Sequence, residues 1–126
     1  MKRVITAVIF LLLAIAICLT GYAICLSRLN SINDALGKAT YVSNFSNEDE
    51  VTEISKEIIE EWEKSSVVLY ALVIHSDLDN MDNKIKMLLF YSKEKKFYEF
   101  AKTCEEIIAI SNHIKSSQHA TFENIF

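Results

Sequence analysis

Hydrophobic and polar positions divide the chain into one uninterrupted apolar opening and three amphipathic stretches. Val4 to Leu26 runs 23 residues without a charge. As a helix rising about 1.5 Å per residue, it exceeds a hydrocarbon layer of about 30 Å. It has no polar face, which a helix on a soluble core would show. The pattern predicts a single transmembrane helix. Leu29, Ile32 and Leu36 then keep a helical rhythm, so the helix extends outward to about Gly37, and polar Thr40 to Asn47 is expected to be a linker. Ser46 with Asp49, or Asn47 with Glu50, would cap the next helix. Val51, Ile54, Ile58, Trp62, Leu69 and Leu72 form an apolar stripe at threes and fours. Leu78, Met81, Ile85, Leu88 and Leu89 mark a further helix, and Phe97, Phe100, Cys104, Ile107, Ile108, Ser111 and Ile114 another. The fold class is all-α: an N-terminal transmembrane helix followed by a small antiparallel bundle of about three helices. The expected organisation is a cytoplasmic tail and anchor over 1–28, a helical extension and linker over 29–46, and an extracytoplasmic bundle over 47–126.

Between the second and third stretches the stripe changes phase. Continued unbroken, it would pass through Ser76, Asp79 and Asn83, whereas the apolar positions are Ile74, Leu78, Met81 and Ile85. A shift of two residues turns a helix by about 200° and would move the buried face to the other side. A break near His75 resolves the conflict. On this reading His75 ends one helix, Ser76 caps the next, and Asp77 and Asp79 lie in its first turn, each favourable toward the helix dipole. The competing reading is chemical. On a continuous helix His75, Asp79 and Asp82 would share one face and could seat zinc or manganese. The junction is preferred. Met81 and Leu88 occupy positions where an EF-hand loop needs oxygen ligands, and no Glu stands three residues before His75 or His113 as a di-iron bundle requires.

The apolar opening has its own alternatives. A cleaved signal peptide usually has an apolar core of about 7–15 residues ending at a small-x-small site. Gly21-Tyr22-Ala23 offers such a site, but the run is longer and continues past it, which favours a retained anchor. Lys2 and Arg3 favour a cytoplasmic N-terminus with the remainder outside, against a weaker opposing signal from Arg28 and Lys38. Ala14, Cys18, Gly21 and Cys25 repeat at fours and threes. Small residues on one face allow membrane helices to approach closely, so this stripe is a candidate homodimer seam. Cys104 lacks a second thiol outside the anchor and is expected to be a small buried hydrophobe.

Composition narrows the function. The 126 residues include no proline and two glycines, which removes the usual turn and strand punctuation and leaves no phosphate-cradling loop. The formal charge is −4, and with Lys2 and Arg3 set aside the remainder is more acidic still. Nucleic-acid binding depends on a basic surface, so a nucleic-acid partner is not expected. His75, Ser76 and Asp77 are sequence neighbours and point apart on a helix, so they form no triad. Asn44-Phe45-Ser46 matches a glycosylation acceptor only by its short motif. Phe90, Tyr91, Phe97, Tyr98 and Phe100 bracket the turn SKEKK and are expected to pack together at one hairpin end. Phe122, Ile125 and Phe126 fall on one turn and would dock on the bundle or hold a partner.

Taken in order, the anchor, an acidic helix with Trp62 and Lys64, the run His75, Asp77 and Asp79 before Leu88 and Tyr91, and His113-Ile114 with a terminal Asn124-Ile125-Phe126 resemble a family of small bacterial membrane-anchored proteins catalogued as a domain of unknown function. Many such sequences carry Glu after the histidine, where this one has Ser76 and Asp77. The resemblance implies location and architecture, with Trp62, His75, Asp77, Asp79 and His113 in structural roles. The expected function is non-enzymatic and without a cofactor: a single-pass interaction or scaffold module of the cell envelope, held in the membrane and working with a protein partner or as a homodimer. The alternative is a metal- or pH-responsive sensor using His75, Asp79 and Asp82, with His75 and His113 brought together near helix ends.

Overall fold

The computed structural model describes residues 1–44 and 48–125, and every element in it is helical. Helix α1 spans Lys2–Asn44, α2 Glu48–Leu72, α3 His75–Lys93 and α4 Phe97–Ile125. The proposed caps Ser46 and Asn47 and the terminal Phe126 lie outside the described residues, as does the side chain of Ile125.

The bundle has four helices rather than about three. Helix α1 packs against α2 and α4, and α3 packs against the same two from the opposite corner. The connections alternate in direction, so the helices form an up-down-up-down ring. The segment expected to be an extension and linker is the first member of that ring. Helix α1 runs without interruption through Thr40 to Asn44, and it buries Cys25, Leu29, Ile32, Leu36, Ala39 and Ser43.

Those six positions alternate at fours and threes. The same spacing recurs in α2, at Val51, Ser55, Ile58, Trp62, Ser65 and Leu69, and in α3, at Leu78, Met81, Ile85, Leu88 and Ser92. Helix α4 follows it through Phe100, Cys104, Ile107, Ser111 and Ile114. A repeat of 3.5 residues keeps one seam facing its neighbours along near-parallel helices. The repeat also corrects the expected α2 stripe: Ser55 and Ser65 take core places, while Ile54 is half-buried and Leu72 is exposed. Buried hydroxyls need partners. Ser43, Ser55 and Ser92 donate to the carbonyls of Thr40, Val51 and Leu89, each at 2.8 Å, within their own helices.

The aromatic hairpin end divides. Phe100 is fully buried and Tyr91 and Phe97 pack against the core, but Phe90 and Tyr98 face outward. The turn between α3 and α4 is a Schellman closure: Lys96 N–H donates to Tyr91 O at 2.9 Å and Lys95 N–H to Ser92 O at 3.3 Å. That closure needs a left-handed residue, and Lys95 supplies it at φ 58°. A side chain there costs about 1–2 kcal/mol relative to glycine. The Lys95–Glu48 ion pair at 3.1 Å is well exposed and contributes little in return. Lys95→Gly is therefore expected to stabilise the bundle by about 1 kcal/mol, read as a higher melting temperature in mild detergent. An unchanged or lower value would contradict the strain.

Candidate site at the turn between α2 and α3

The histidine–acid run lies where α2 hands over to α3. The break falls where the phase change requires it: α2 ends at Leu72, Val73 N–H closes on Leu69 O at 2.9 Å, and α3 begins at His75. Two local expectations are corrected. His75 opens α3 instead of closing α2. The N-cap is Ile74, extended at φ −60° and ψ 128° with no side-chain hydrogen bond, and Ser76 lies inside the first turn. Of the two acids only Asp77 remains in that turn.

Tyr70 explains the arrangement. Its carbonyl is one of the unpaired acceptors at the end of α2, and His75 Nε2 lies 2.9 Å from it. A carbonyl only accepts, so this nitrogen carries the proton and donates. The two rings meet edge to face at 5.3 Å. The Tyr70 hydroxyl donates to Asp79 Oδ1 at 2.6 Å. This bond to a carboxylate, with desolvation and the charge of Asp79 adding to it, pushes the phenol up to about 12. One tyrosine thus clasps both sides of the turn, with its backbone on His75 and its ring on Asp79.

Asp82 belongs to a separate contact one turn further along. Trp62, buried in α2, donates its indole N–H to Asp82 Oδ1 at 2.8 Å, and Lys86 reaches Oδ2 at 2.7 Å. Desolvation works against the carboxylate, but hydrogen bonds from Lys86 and Trp62 outweigh it and hold its pKa below the usual value. Neither Tyr70 nor the Trp62–Asp82 bond was expected from sequence. The available signal was the indole itself, since a buried tryptophan N–H requires an acceptor.

His75, Asp79 and Asp82 therefore engage three different groups. Among the described residues no group of three His, Cys, Asp or Glu side chains is placed to hold a metal ion. His113 is exposed on α4 and His75 is exposed at the turn, so the two do not form a buried histidine pair.

The small-residue stripe of α1 is divided as well. Cys25 is fully buried in the chain's own bundle. A Cβ built on Gly21 would lie 3.4 Å from Leu72 Cδ2, so that face already meets α2. Ala14 and Cys18 remain exposed. At the same height Tyr22 stacks on Phe122 at 5.0 Å and its hydroxyl lies 3.1 Å from His119 Nδ1, docking the end of α4 on α1. Between α1 and the end of α2 runs an apolar groove of about 740 Å³, lined by Leu13, Ile17, Gly21, Ile24, Val67 and Leu72 among others.

The exposed part of α1 and the packed part meet near residue 24, where Cys25 is the first fully buried side chain. No curated protein and no solved structure matches the chain. A family model does match, over residues 24–125, which is the stretch that builds the four-helix ring. The chain belongs to the family described as domain of unknown function DUF4363.

Proposed function

We propose that this protein is a single-pass, membrane-anchored helical module of the cell envelope that acts by interaction or scaffolding and not by catalysis. The observation that carries the reading is the continuity of α1. Its first part is a long apolar helix with no burial inside the chain, long enough and apolar enough to cross a membrane. Its second part supplies one quarter of the bundle core. Anchor and domain share one helix with no hinge between them, so the bundle is held at a fixed height and angle over the lipid. His75 and Asp79 support a structural role, because Tyr70 engages both in holding the turn. A homodimer or partner helix meeting the anchor would use Ala14 and Cys18, the part of the small-residue stripe the chain leaves open.

The positive-inside pattern of Lys2 and Arg3 supports a bundle outside the cytoplasm. The native thiols make a quiet background for the test, since Cys25 and Cys104 are fully buried and Cys18 lies within the proposed span. Burial also pushes the Cys104 thiol up to about 12, so it stays protonated and unreactive. Tyr98 is 77% exposed at the far end of the bundle. A Tyr98→Cys variant is expected to react with a membrane-impermeant maleimide in intact cells, while the parent chain does not. Labelling that appears only after lysis would put the bundle in the cytoplasm.

A further inference from the structure

The base of the bundle carries an exposed apolar tip, Leu72 and Ile74, among polar side chains such as His75, His119 and Glu123. Helices α2 and α4 run antiparallel to α1, so both descend toward its exposed half. Their ends reach Gly21 and Tyr22, through Leu72 and Phe122. Leu72 is 39% exposed, and Ile74, at the tip of the following turn, is 70% exposed. Ile74 also occupies an N-cap, where Ser, Asp or Asn would stabilise the helix and an aliphatic residue forfeits the cap bond. An exposed isoleucine at that position is unfavourable in water on two separate grounds. It is accounted for if the tip does not face water.

Length gives the second, independent observation. The apolar run reaches Leu26, but its last residues are consumed by the bundle, with Gly21 against α2 and Cys25 in the core. The part of the run before the first fully buried side chain is Val4 to Ile24, 21 residues, or about 31 Å of helix. This matches a hydrocarbon layer of about 30 Å only if the last turn, Gly21 to Ile24, lies within it. Leu72 and Phe122 pack beside Gly21 and Tyr22, so a span that reaches Ile24 draws the base of the bundle into the outer edge of that layer. Asp77 in the first turn of α3 and Glu123 near the end of α4 limit the depth. A shallow seat of about one helical turn corresponds to Gly21 to Ile24.

We propose that the base of the bundle is itself a lipid-binding surface: the Leu72–Ile74 turn and the Phe122 edge are seated in the outer boundary of the bilayer, with acyl chains filling the groove between α1 and the end of α2. The partner is the bilayer surface through its apolar chains. No anionic headgroup is required, since the base carries Asp77 and Glu123 and, among the described residues, no cluster of lysines or arginines. The inference rests on the reading of α1 as a membrane anchor, and the test separates the two.

The chain would be reconstituted in phosphatidylcholine vesicles of three kinds: without bromine, with bromine on the acyl carbons nearest the headgroup, and with bromine deeper in the acyl chain. Three variants each add one tryptophan: Ile74→Trp at the turn, Leu12→Trp in the middle of the span and Tyr98→Trp at the far end. Native Trp62 is only 2% exposed and serves as an internal, unquenched reference that also reports folding. The Ile74→Trp increment is expected to be blue-shifted and to lose most of its intensity in brominated lipid. The Leu12→Trp increment should also be quenched, in lipid brominated deeper in the chain, and that of Tyr98→Trp should be unaffected. Quenching at Leu12→Trp without quenching at Ile74→Trp overturns the seated base and leaves the anchor standing. Absence of quenching at Leu12→Trp overturns both. A Phe122→Trp variant repeats the measurement from α4 if Ile74→Trp disturbs the turn, and no quenching there counts equally against the proposal.

Discussion

A fragment starting at residue 47 is expected to lose the cooperative fold that a fragment starting at residue 24 retains. The shorter piece keeps α2, α3 and α4 whole but removes Leu29, Ile32 and Leu36, all fully buried between α2 and α4. Burying a side chain of this kind contributes about 1.5–3 kcal/mol, so the three together supply about 5–9 kcal/mol. A domain of this size has about 5–15 kcal/mol of net stability in all. The loss is compounded by the faces left behind. Helices α2 and α4 would each expose an apolar seam to water, with no direct contact between them to close it. Circular dichroism and thermal unfolding of the two fragments would decide the matter. Equal helix content and equally sharp melting would show that α1 is dispensable and that the bundle is a three-helix unit.

That outcome bears on why the first helix was hard to read beyond its apolar part. Leu29, Ile32 and Leu36 are legible because they are large and periodic. The rhythm then passes to Ala39 and Ser43, which are buried by position and not by hydrophobicity, so the polar run around Thr40 resembles a linker. The same ambiguity shifted the stripe in α2. Between Val51 and Ile58 both Ile54 and Ser55 fit a spacing of threes and fours, and only packing against two neighbours selects the serine. A hydroxyl that bonds back to its own helix, as Ser55 does to Val51, costs little to bury and leaves no mark on a hydrophobicity pattern. In α3 the large residues Leu78, Met81, Ile85 and Leu88 mark the seam, but Ser92 extends it unmarked and Leu89 is only half-buried; in α4 Phe100, Cys104, Ile107 and Ile114 make it legible.

The turn shows the other limit. The phase change between Leu72 and Leu78 makes a break unavoidable, and local rules then favour Ser76 as a cap. The actual boundary is set by Tyr70, whose carbonyl takes the His75 ring and whose hydroxyl takes Asp79. These contacts exist only once α2 and α3 lie side by side. Capping propensity contributes about 1 kcal/mol and yields to two hydrogen bonds, one of them to a charged acceptor.

The Trp62–Asp82 contact is of the same non-local kind, twenty residues apart in sequence, and its removal is expected to have the largest effect of any single substitution. Trp62→Ala deletes a side chain that is 2% exposed and should cost about 3–5 kcal/mol. Trp62→Phe keeps most of the ring volume and removes the indole donor. The bond it loses is to a charged acceptor, a class that contributes about 1.5–3 kcal/mol. Asp82 retains Lys86 at 2.7 Å, so Trp62→Phe should fall at the lower end of that range. The pair also predicts a dependence on acid. The pKa of Asp82 is lower in the folded state than in the unfolded chain, so the unfolded state takes up the proton first. Its stabilising contribution is fully present above the unfolded value, about pH 4, and is lost as pH falls through the lower folded value. Asp82→Asn still offers the indole an acceptor but cannot titrate. The variant should match the parent more closely at low pH than at neutral pH, when midpoints of urea unfolding are compared. If the gap between them stays constant from neutral pH down to the acid limit of folding, then Asp82 is not the charged partner that joins α2 to α3.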